Sequence, residues 1–399
     1  MQIIRKSQYV FQKFIKKVRK ILPNLILLLF VIVICVIFFE IVLRFFYPQP
    51  LNPIFLPTDD RGTFAEYDAI LGWRLKSNIE GLFFSNEYNT NIKNNAQGLR
   101  MGRNVPLKKS KYRIAFLGDS FIWGFGVNEH ERVSEYLEKE LENVEVLNFG
   151  VSGYGTDQYY LQLNRTVLKF RPDMVIVGFY ANDLEDTGNN VRYSYPKPLF
   201  KLADDGSLNL TNVPVPKKVE WDAREYSFLT KLKFFLSHKS HVFFLFKRVL
   251  FRLYPYQEHT YDPSEISIIL KEYPKDYQVY NQLNEMLYCK MAEMLREHNI
   301  TFIVINIPPK IHLLQDKFSN TLKELQIDSD EIDINKPSMM LHNLSINCGL
   351  DFIDLYPYFR EYKDKERLYF WYDPHWNPLG HKYAAKILSK ELKDRYNIG

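Results

Sequence analysis

Cysteine is scarce in this chain of 399 residues. There are three, Cys35, Cys289 and Cys348, with no C-x-x-C pair and no spacing that suits a metal. That excludes a thiolate metal site and a vicinal redox pair. Cys35 falls in an apolar segment. Cys289 and Cys348 are either a disulfide, if their domain lies outside the cytoplasm, or buried free thiols. A strong charge of one sign is also lacking: the formal net charge is +5, much of it at the N-terminus, and makes no case for nucleic acid. The glycines at 150, 153 and 155 do not make G-x-G-x-x-G, which argues against a dinucleotide site. Internal repeats and low-complexity tracts are absent. An apolar share of 46% and a charged share of 25% are those of a globular protein.

One long apolar run is present. Leu22 to Phe46 contains only Glu40 and Arg44 as charges, and a bilayer-spanning helix needs about 20 apolar residues. Glu40 and Arg44 are spaced i,i+4 near the far end, where they can pair and reach the headgroups. Residues 1–21 carry Arg5, Lys6, Lys13, Lys16, Lys17, Arg19 and Lys20 and no acidic residue, which predicts a cytoplasmic N-terminus and an outward-facing remainder. No small-residue cleavage site follows the run, so the reading is an uncleaved anchor over 22–47. From 48 to 110, prolines 48, 50, 53 and 57 suit a stalk. Short alternating runs broken by Asn and Gly then predict a small β-rich segment.

From 111 the rhythm is strand, loop, helix, repeated, which implies a parallel sheet with right-handed crossovers. Arg113–Leu117 is an apolar run without turn residues, broken by Gly118-Asp119-Ser120. Val144–Phe149 leads into the glycine-punctuated loop Gly150–Gly155, and Met174–Tyr180 into Asn182-Asp183. Thr301–Ile307 and Asp351–Leu355 read as further strands, and Asn377-Pro378 opens the last helix. Asn128 and Glu131 form a capping-box pattern for a helix to about 143, and Thr156 is read as the cap of the next. Residues 190–275 interrupt this rhythm and are read as a helical insert, with a hairpin turn at Asp204–Ser207. Within the insert, Tyr226–Tyr254 has apolar residues at helical spacing, several basic residues and no acidic one. That pattern fits an anionic membrane surface, with a lid or an ordinary packed helix pair as the alternative.

Four short sites therefore fall at strand ends or before a helix: Gly118–Ser120, Gly150–Gly155, Asn182-Asp183 and Asp373–His375. A serine hydroxyl is a poor nucleophile without a base, and His375 is the candidate base for Ser120. The base needs a carboxylate to fix its tautomer, and Asp373 is the nearest in sequence. A tetrahedral intermediate needs donors for its oxyanion, and the candidates are the N–H groups of Ser120 and Gly153 and the Asn182 amide. Asp119 is read as a loop hydrogen-bonder and His381 as structural. Asp183 and Asp186 are expected to cap or position the Asn182 loop, since no third metal ligand accompanies them. Trp376 either lines the pocket or packs.

GDS at 118–120, NFGVSGYGTDQ at 148–158, AND at 181–183 and DPHWNPLGH at 373–381 resemble, in order, the sequence blocks of the SGNH (GDSL-type) hydrolase family. The resemblance implies a flavodoxin-like three-layer α/β/α sandwich and a Ser–His–Asp mechanism without the G-x-S-x-G elbow, which this sequence lacks. By position it matches Ser120 to the nucleophile, Gly153 and Asn182 to oxyanion donors, and His375 to the base. The usual last block is D-x-x-H. Here Tyr372 stands three before His375 and Asp373 two before, a spacing similar to that of some membrane-associated members that acetylate polysaccharides. Tyr180 occupies a usual glycine position.

The function expected is a serine esterase or O-acyl transferase working outside the cytoplasm. Its expected substrate is an acylated cell-envelope glycan, with other envelope-biosynthesis proteins as candidate partners and no cofactor or metal. Two alternatives stand beside it: a lipid esterase at the membrane surface, and an inactive domain that binds glycan or a partner.

Overall fold

The structure is a computed structural model that describes residues 2–49, 63–85, 87–217, 232, 235–236, 239–253 and 261–398. The stalk prolines 50, 53 and 57 and most of the first half of the 226–254 stretch lie outside the described residues. The chain divides into two compact units, Met1–Pro53 with Trp221–Tyr256, and Ile54–Glu220 with Gln257–Gly399.

The larger unit is built on a five-stranded parallel sheet. Its strands are β1 (Tyr112–Leu117), β2 (Val144–Asn148), β3 (Met174–Phe179), β4 (Thr301–Asn306) and β5 (Asp351–Asp354), in the order β2-β1-β3-β4-β5. β1 and β3 are apolar on both faces because helices cover both. On one face Ala115, Leu117, Val175, Val177 and Val304 pack with the helices Thr156–Arg165, Lys275–Glu297 and Lys336–Cys348. On the other, Ile114, Phe116, Ile176, Ile303 and Ile305 pack with Val133–Glu140 and Pro378–Tyr396. This is the flavodoxin-like three-layer α/β/α sandwich. The connection from β1 runs to one neighbour, and β3 lies on β1's other side. The switch point is therefore between the carboxyl ends of β1 and β3, where open α/β sheets place ligands.

The β-rich segment before β1 is two antiparallel hairpins, Ala65–Asp68 with Gly72–Leu75 and Ile79–Phe84 with Asn89–Asn94. It is not a separate body. Phe64, Trp73, Phe83 and Ile92 are buried in the same core as Leu117, Trp123 and Tyr154. The Trp73 indole N–H donates to the Ser152 carbonyl at 3.2 Å and Gln158 Nε2 to the Leu71 carbonyl at 2.7 Å, which ties the segment to the loop after β2.

The expectation of a helical insert needs correction at its start. Residues 191–211 form two short hairpins, Val191–Arg192 with Tyr195–Pro196 and Leu199–Leu202 with Leu208–Thr211, before the helices His241–Leu253 and Pro263–Ser267. Lys197 explains part of this. Its ammonium is fully buried against Asp157 and donates to the Asp186 carbonyl at 2.6 Å, pinning the first hairpin to the sandwich. Two caps also differ from expectation. Asn128 caps a short 3-10 turn, Glu129–Glu131, ahead of the helix at Val133, and Gly155, not Thr156, stands at the N-cap of the following helix. Cys289 and Cys348 form a disulfide, with Cα atoms 4.6 Å apart.

In the smaller unit one helix runs from Gln2 to Phe46, so the basic N-terminus and the apolar run form one continuous rod. Its segment Leu22–Phe46, 25 residues with none buried, is long and apolar enough to cross a membrane.

Candidate active site

Ser120 follows β1 through a tight turn that requires glycine. Gly118 has φ +155°, and a Cβ there would meet Ile122 Cγ1 at 2.3 Å. Ser120 opens a short helix, Ser120–Trp123, capped by Asp119, whose carboxylate accepts the Phe121 N–H at 2.9 Å. The loop after β2 lies directly against this helix: a Cβ on Gly150 would meet the Trp123 nitrogen at 2.2 Å. Asn148 Nδ2 donates to the Ile122 carbonyl at 2.6 Å, and the Val151 N–H donates to the Gly118 carbonyl at 3.0 Å. From the far side Arg100, fully buried, donates to the Trp123, Gly124 and Val127 carbonyls.

His375 meets Ser120 from the loop before the last helix. Its Nε2 is 2.7 Å from Ser120 Oγ, and its Nδ1 is 2.6 Å from Asp373 Oδ1. With Nδ1–H donating to the carboxylate, Nε2 is the acceptor for the serine hydroxyl. The short D-x-H spacing works because Asp373 Oδ1 also accepts the His375 backbone N–H at 2.9 Å, a local turn that folds the carboxylate under its own imidazole. Burial pulls the Asp373 carboxyl upward, but the imidazole and its two hydrogen bonds hold it below the ordinary range. The imidazole is stacked on Phe125 at 4.4 Å and packed on Phe121 at 4.8 Å. The His375 and Asp373 side chains keep 17% and 16% exposure, so a ligand can reach the site.

Asn182 follows β3. Its Nδ2 donates to Asp186 Oδ2 at 3.1 Å, which fixes the amide; among the described residues its second hydrogen has no partner. Asp186 lies 3.0 Å from Arg192 Nε and, through burial, is pushed up to about 7 despite that cation. Asp183 accepts the Tyr180 N–H at 3.0 Å and the Tyr159 hydroxyl at 2.9 Å. Both carboxylates thus position the loop. Gly153 stands at φ +77° in the loop after β2. Asp119 Oδ2 is 3.4 Å from Ser120 Oγ, and its main work is the cap; burial pushes its carboxyl above the ordinary range. Trp376 is fully buried and stacks on Phe359 at 5.3 Å, so it packs and does not line the site. His381 is buried, accepts the Val133 N–H at 3.2 Å, and is held neutral by burial. Among the described residues no cluster of three or more His, Cys, Asp or Glu is arranged to hold a metal.

Two residues that sequence reasoning missed hold the Asp373–His375 loop. The Glu87 carboxylate, from the N-terminal hairpins, accepts the backbone N–H groups of Trp371, Tyr372 and Asp373, the last at 2.8 Å. Lys310 Nζ, just after β4, donates to the Phe370 and Trp371 carbonyls, both at 2.7 Å. No local pattern marks either one, since each acts on backbone far away in sequence.

Beneath the site Tyr180 packs on Phe121 at 4.4 Å, and its hydroxyl donates to Glu265 Oε1 at 2.6 Å. Glu265 is fully buried, and burial pushes its carboxyl up to about 8. Because it stays protonated in the fold while the unfolded chain releases its proton above about 4.5, stability falls as pH rises from about 4.5 to about 8. Glu265→Gln mimics the protonated form. It is expected to raise Tm more at pH ~8 than at pH ~5, by an amount worth on the order of a few kcal/mol. Thermal unfolding at the two pH values checks this, and an equal shift at both would exclude Glu265 as the titrating group.

Two family descriptions match this chain. Residues 116–212 match the GDSL-like lipase/acylhydrolase family, and residues 272–398 match the SGNH hydrolase-like domain of the acetyltransferase AlgX. Between them they cover both halves of the site, Ser120 and Asn182 in the first and Asp373 and His375 in the second. The chain belongs to the SGNH (GDSL-type) hydrolase family. Among solved structures, a lipase/acylhydrolase from Enterococcus faecalis is 14% identical, with 72% of this chain and 97% of that one covered at a TM-score of 0.36. An acetyl-xylooligosaccharide esterase from Geobacillus is 13% identical, with 72% and 96% covered at 0.38. The acetyl xylan esterase AlAXEase is 16% identical, with 70% and 99% covered at 0.37. No curated protein matches the chain. As an SGNH-family protein, it departs from the D-x-x-H block only in spacing, and the local turn at Asp373 absorbs that departure.

Proposed function

We propose that this SGNH-family protein transfers a short acyl group from an ester through an acyl-Ser120 intermediate. The observation that carries the reading is the hydrogen-bonded chain Ser120 Oγ to His375 Nε2 and His375 Nδ1 to Asp373 Oδ1. His375 takes the Ser120 proton as Oγ attacks the ester carbonyl, and Asp373 stabilises the imidazolium. The tetrahedral oxyanion accepts hydrogen bonds from the Ser120 and Gly153 N–H groups and the Asn182 amide. Collapse breaks the bond to the alcohol oxygen, which leaves with the proton from His375. In the second half, a hydroxyl of water or sugar gives its proton to His375 as it attacks the acyl carbonyl; collapse then breaks the acyl–Oγ bond, and Ser120 Oγ leaves with that proton from His375.

The substrate we propose is an acylated glycan outside the cytoplasm. The match of 272–398 to an acetyltransferase domain supports acetyl as the group. The basic residues ahead of Leu22 support a cytoplasmic N-terminus. The Cys289–Cys348 disulfide supports an oxidising compartment for the domain. Incubation of the full chain in detergent with an aryl acetate, with and without an oligosaccharide acceptor, tests the reading. Acetyl on the acceptor identifies transfer, and acetate release alone identifies hydrolysis. Neither product, together with no fluorophosphonate labelling of Ser120, overturns the proposal.

Glu87 is a positioning residue in this scheme. Glu87→Ala is expected to lower kcat about tenfold with KM nearly unchanged, because it loosens the loop that aims His375. Glu87→Gln, which keeps one acceptor oxygen, is expected to recover part of the loss. A change confined to KM would place Glu87 in substrate binding instead.

A further inference from the structure

The smaller unit contains a feature that acyl transfer does not use. Glu40, inside the apolar segment Leu22–Phe46, is the N-terminal cap of the helix His241–Leu253. Its Oε1 accepts the His241 N–H at 3.0 Å, and its Oε2 accepts the Val242 N–H at 3.0 Å and the Ser240 hydroxyl at 2.8 Å. Arg44 closes the clamp. Its Nε is 2.9 Å from Glu40 Oε1, and it donates a second hydrogen bond to the Lys239 carbonyl at 2.8 Å. The Gln49 N–H donates to His241 Nδ1 at 2.8 Å. A carboxylate at a helix N-terminus satisfies otherwise orphaned N–H groups and opposes the helix dipole. The charged pair in the apolar run therefore has a specific structural partner, and headgroup snorkelling is not needed to account for it.

The clamped helix has two apolar sides. Phe244 is buried. Phe246, Val249, Leu250 and Leu253 follow i, i+3, i+4, i+7 spacing along the other side and are 55%, 44%, 38% and 66% exposed. A continuous apolar stripe of this kind on a soluble surface calls for an occupant. What points to that occupant is continuity. The stripe belongs to a helix fastened to the last turns of Leu22–Phe46, whose own apolar side chains Phe38, Phe39 and Ile41 are exposed in the same unit.

The geometry points to His241–Leu253 as a second membrane-contacting element, an interfacial helix that Glu40 and Arg44 hold against the membrane span with its 246/249/250/253 stripe in the acyl-chain boundary. Its sequence carries Lys247, Arg248 and Arg252 and no acidic residue, which suits anionic headgroups. This inference does not depend on the chemistry proposed at Ser120.

The test uses the full chain with Cys35→Ser, in vesicles of phosphatidylethanolamine and phosphatidylglycerol, without reductant so that the disulfide stays closed. Nitroxide labels are placed on Phe246→Cys or Leu250→Cys. Ile34→Cys in the span and Ser207→Cys in the exposed hairpin serve as references. The ratio of oxygen to nickel-chelate collision is expected to be several-fold higher at 246 and 250 than at 207, and close to that at 34. Adding Glu40→Ala is expected to bring the Leu250 ratio down several-fold while leaving Ile34 unchanged. Nickel access at 246 and 250 equal to that at 207 overturns membrane contact, and so does dipolar broadening, which would mean that a second copy covers the stripe. Loss of collision with both reagents also overturns it, because another part of the chain would then cover the stripe. An unchanged Leu250 ratio in Glu40→Ala overturns the clamp.

Discussion

Ser120→Ala is expected to lower turnover of an aryl acetate by about 10⁴-fold or more, because one missing member of a nucleophile–base pair disables the whole unit. Among the bonds described for Ser120 Oγ, the 2.7 Å contact with His375 Nε2 is the short one, and the contact with Asp119 is 3.4 Å. The fold has little to lose: the capping bond to the short helix comes from Asp119, and the Gly124 N–H still donates to the Ser120 backbone carbonyl. The variant should therefore keep the wild-type Tm while losing turnover and fluorophosphonate labelling together. Asp373→Asn is expected to cost about 10³–10⁴-fold, since an amide at that position can present the wrong group to Nδ1–H. A Ser120→Ala variant that keeps half its turnover removes Ser120 from the mechanism. An Asp373→Asn variant with full turnover means that another group orients His375.

The largest stability effect is expected at Lys197. Its ammonium and the Asp157 carboxylate are both fully buried and paired. Burial pushes the Asp157 carboxyl above its ordinary range, and the Lys197 charge pulls it back. Lys197 also donates to the Asp186 carbonyl at 2.6 Å and to the Asn189 carbonyl at 3.3 Å, closing the end of the helix that begins beside Asn182. Lys197→Met removes the cation and leaves a buried carboxylate and two carbonyls without it. Breaking a buried pair in this way costs about 3–5 kcal/mol, which corresponds to a Tm lower by roughly 10 °C in a domain of this size. Asp157→Asn combined with Lys197→Met is expected to regain a large part of the loss, because no lone charge stays buried. Thermal unfolding of Lys197→Met, Asp157→Asn, the double variant and the parent measures this. A loss in the double variant equal to the sum of the two single losses would show that the pair itself contributes nothing.

These two sites differ in how far they could be read from sequence. Ser120, Asn182 and the Asp373–His375 pair were legible because reactive residue types sit directly after apolar runs, in short blocks whose order carries the information. The parallel sheet was legible for the same reason, since strands buried on both faces must be apolar throughout. Lys197 sits between Pro196 and Pro198 and has the pattern of a surface loop. Only Asp157, 40 residues away, makes it a core residue. Glu87 acts on Asp373 across 286 residues, through backbone N–H groups that carry no sequence signature. The hairpin turn at Asp204–Ser207 was legible from its Asp-Gly pair, and it joins Leu199–Leu202 to Leu208–Thr211; the hairpin at 191–196 was missed because strands of two residues are too short for alternation to register. The β-rich segment before β1 was read correctly as strands. Its union with the main core depends on Trp73 and Phe83 reaching Trp123 and Tyr154, which is a matter of packing.

By itself the sequence determined the elements whose cause is local: the apolar span, the strand–helix alternation, the helix capped by Asn377, and the residue types able to carry acyl transfer. Tertiary structure alone decided three things. It closed Asp373 onto His375 despite the shortened spacing, it paired Cys289 with Cys348, and it gave Glu40 a helix to cap. The physical reason is common to all three. Periodicity and residue type report how a segment meets solvent, whereas a hydrogen bond or a disulfide between distant groups exists only once packing has brought the two within a few ångströms.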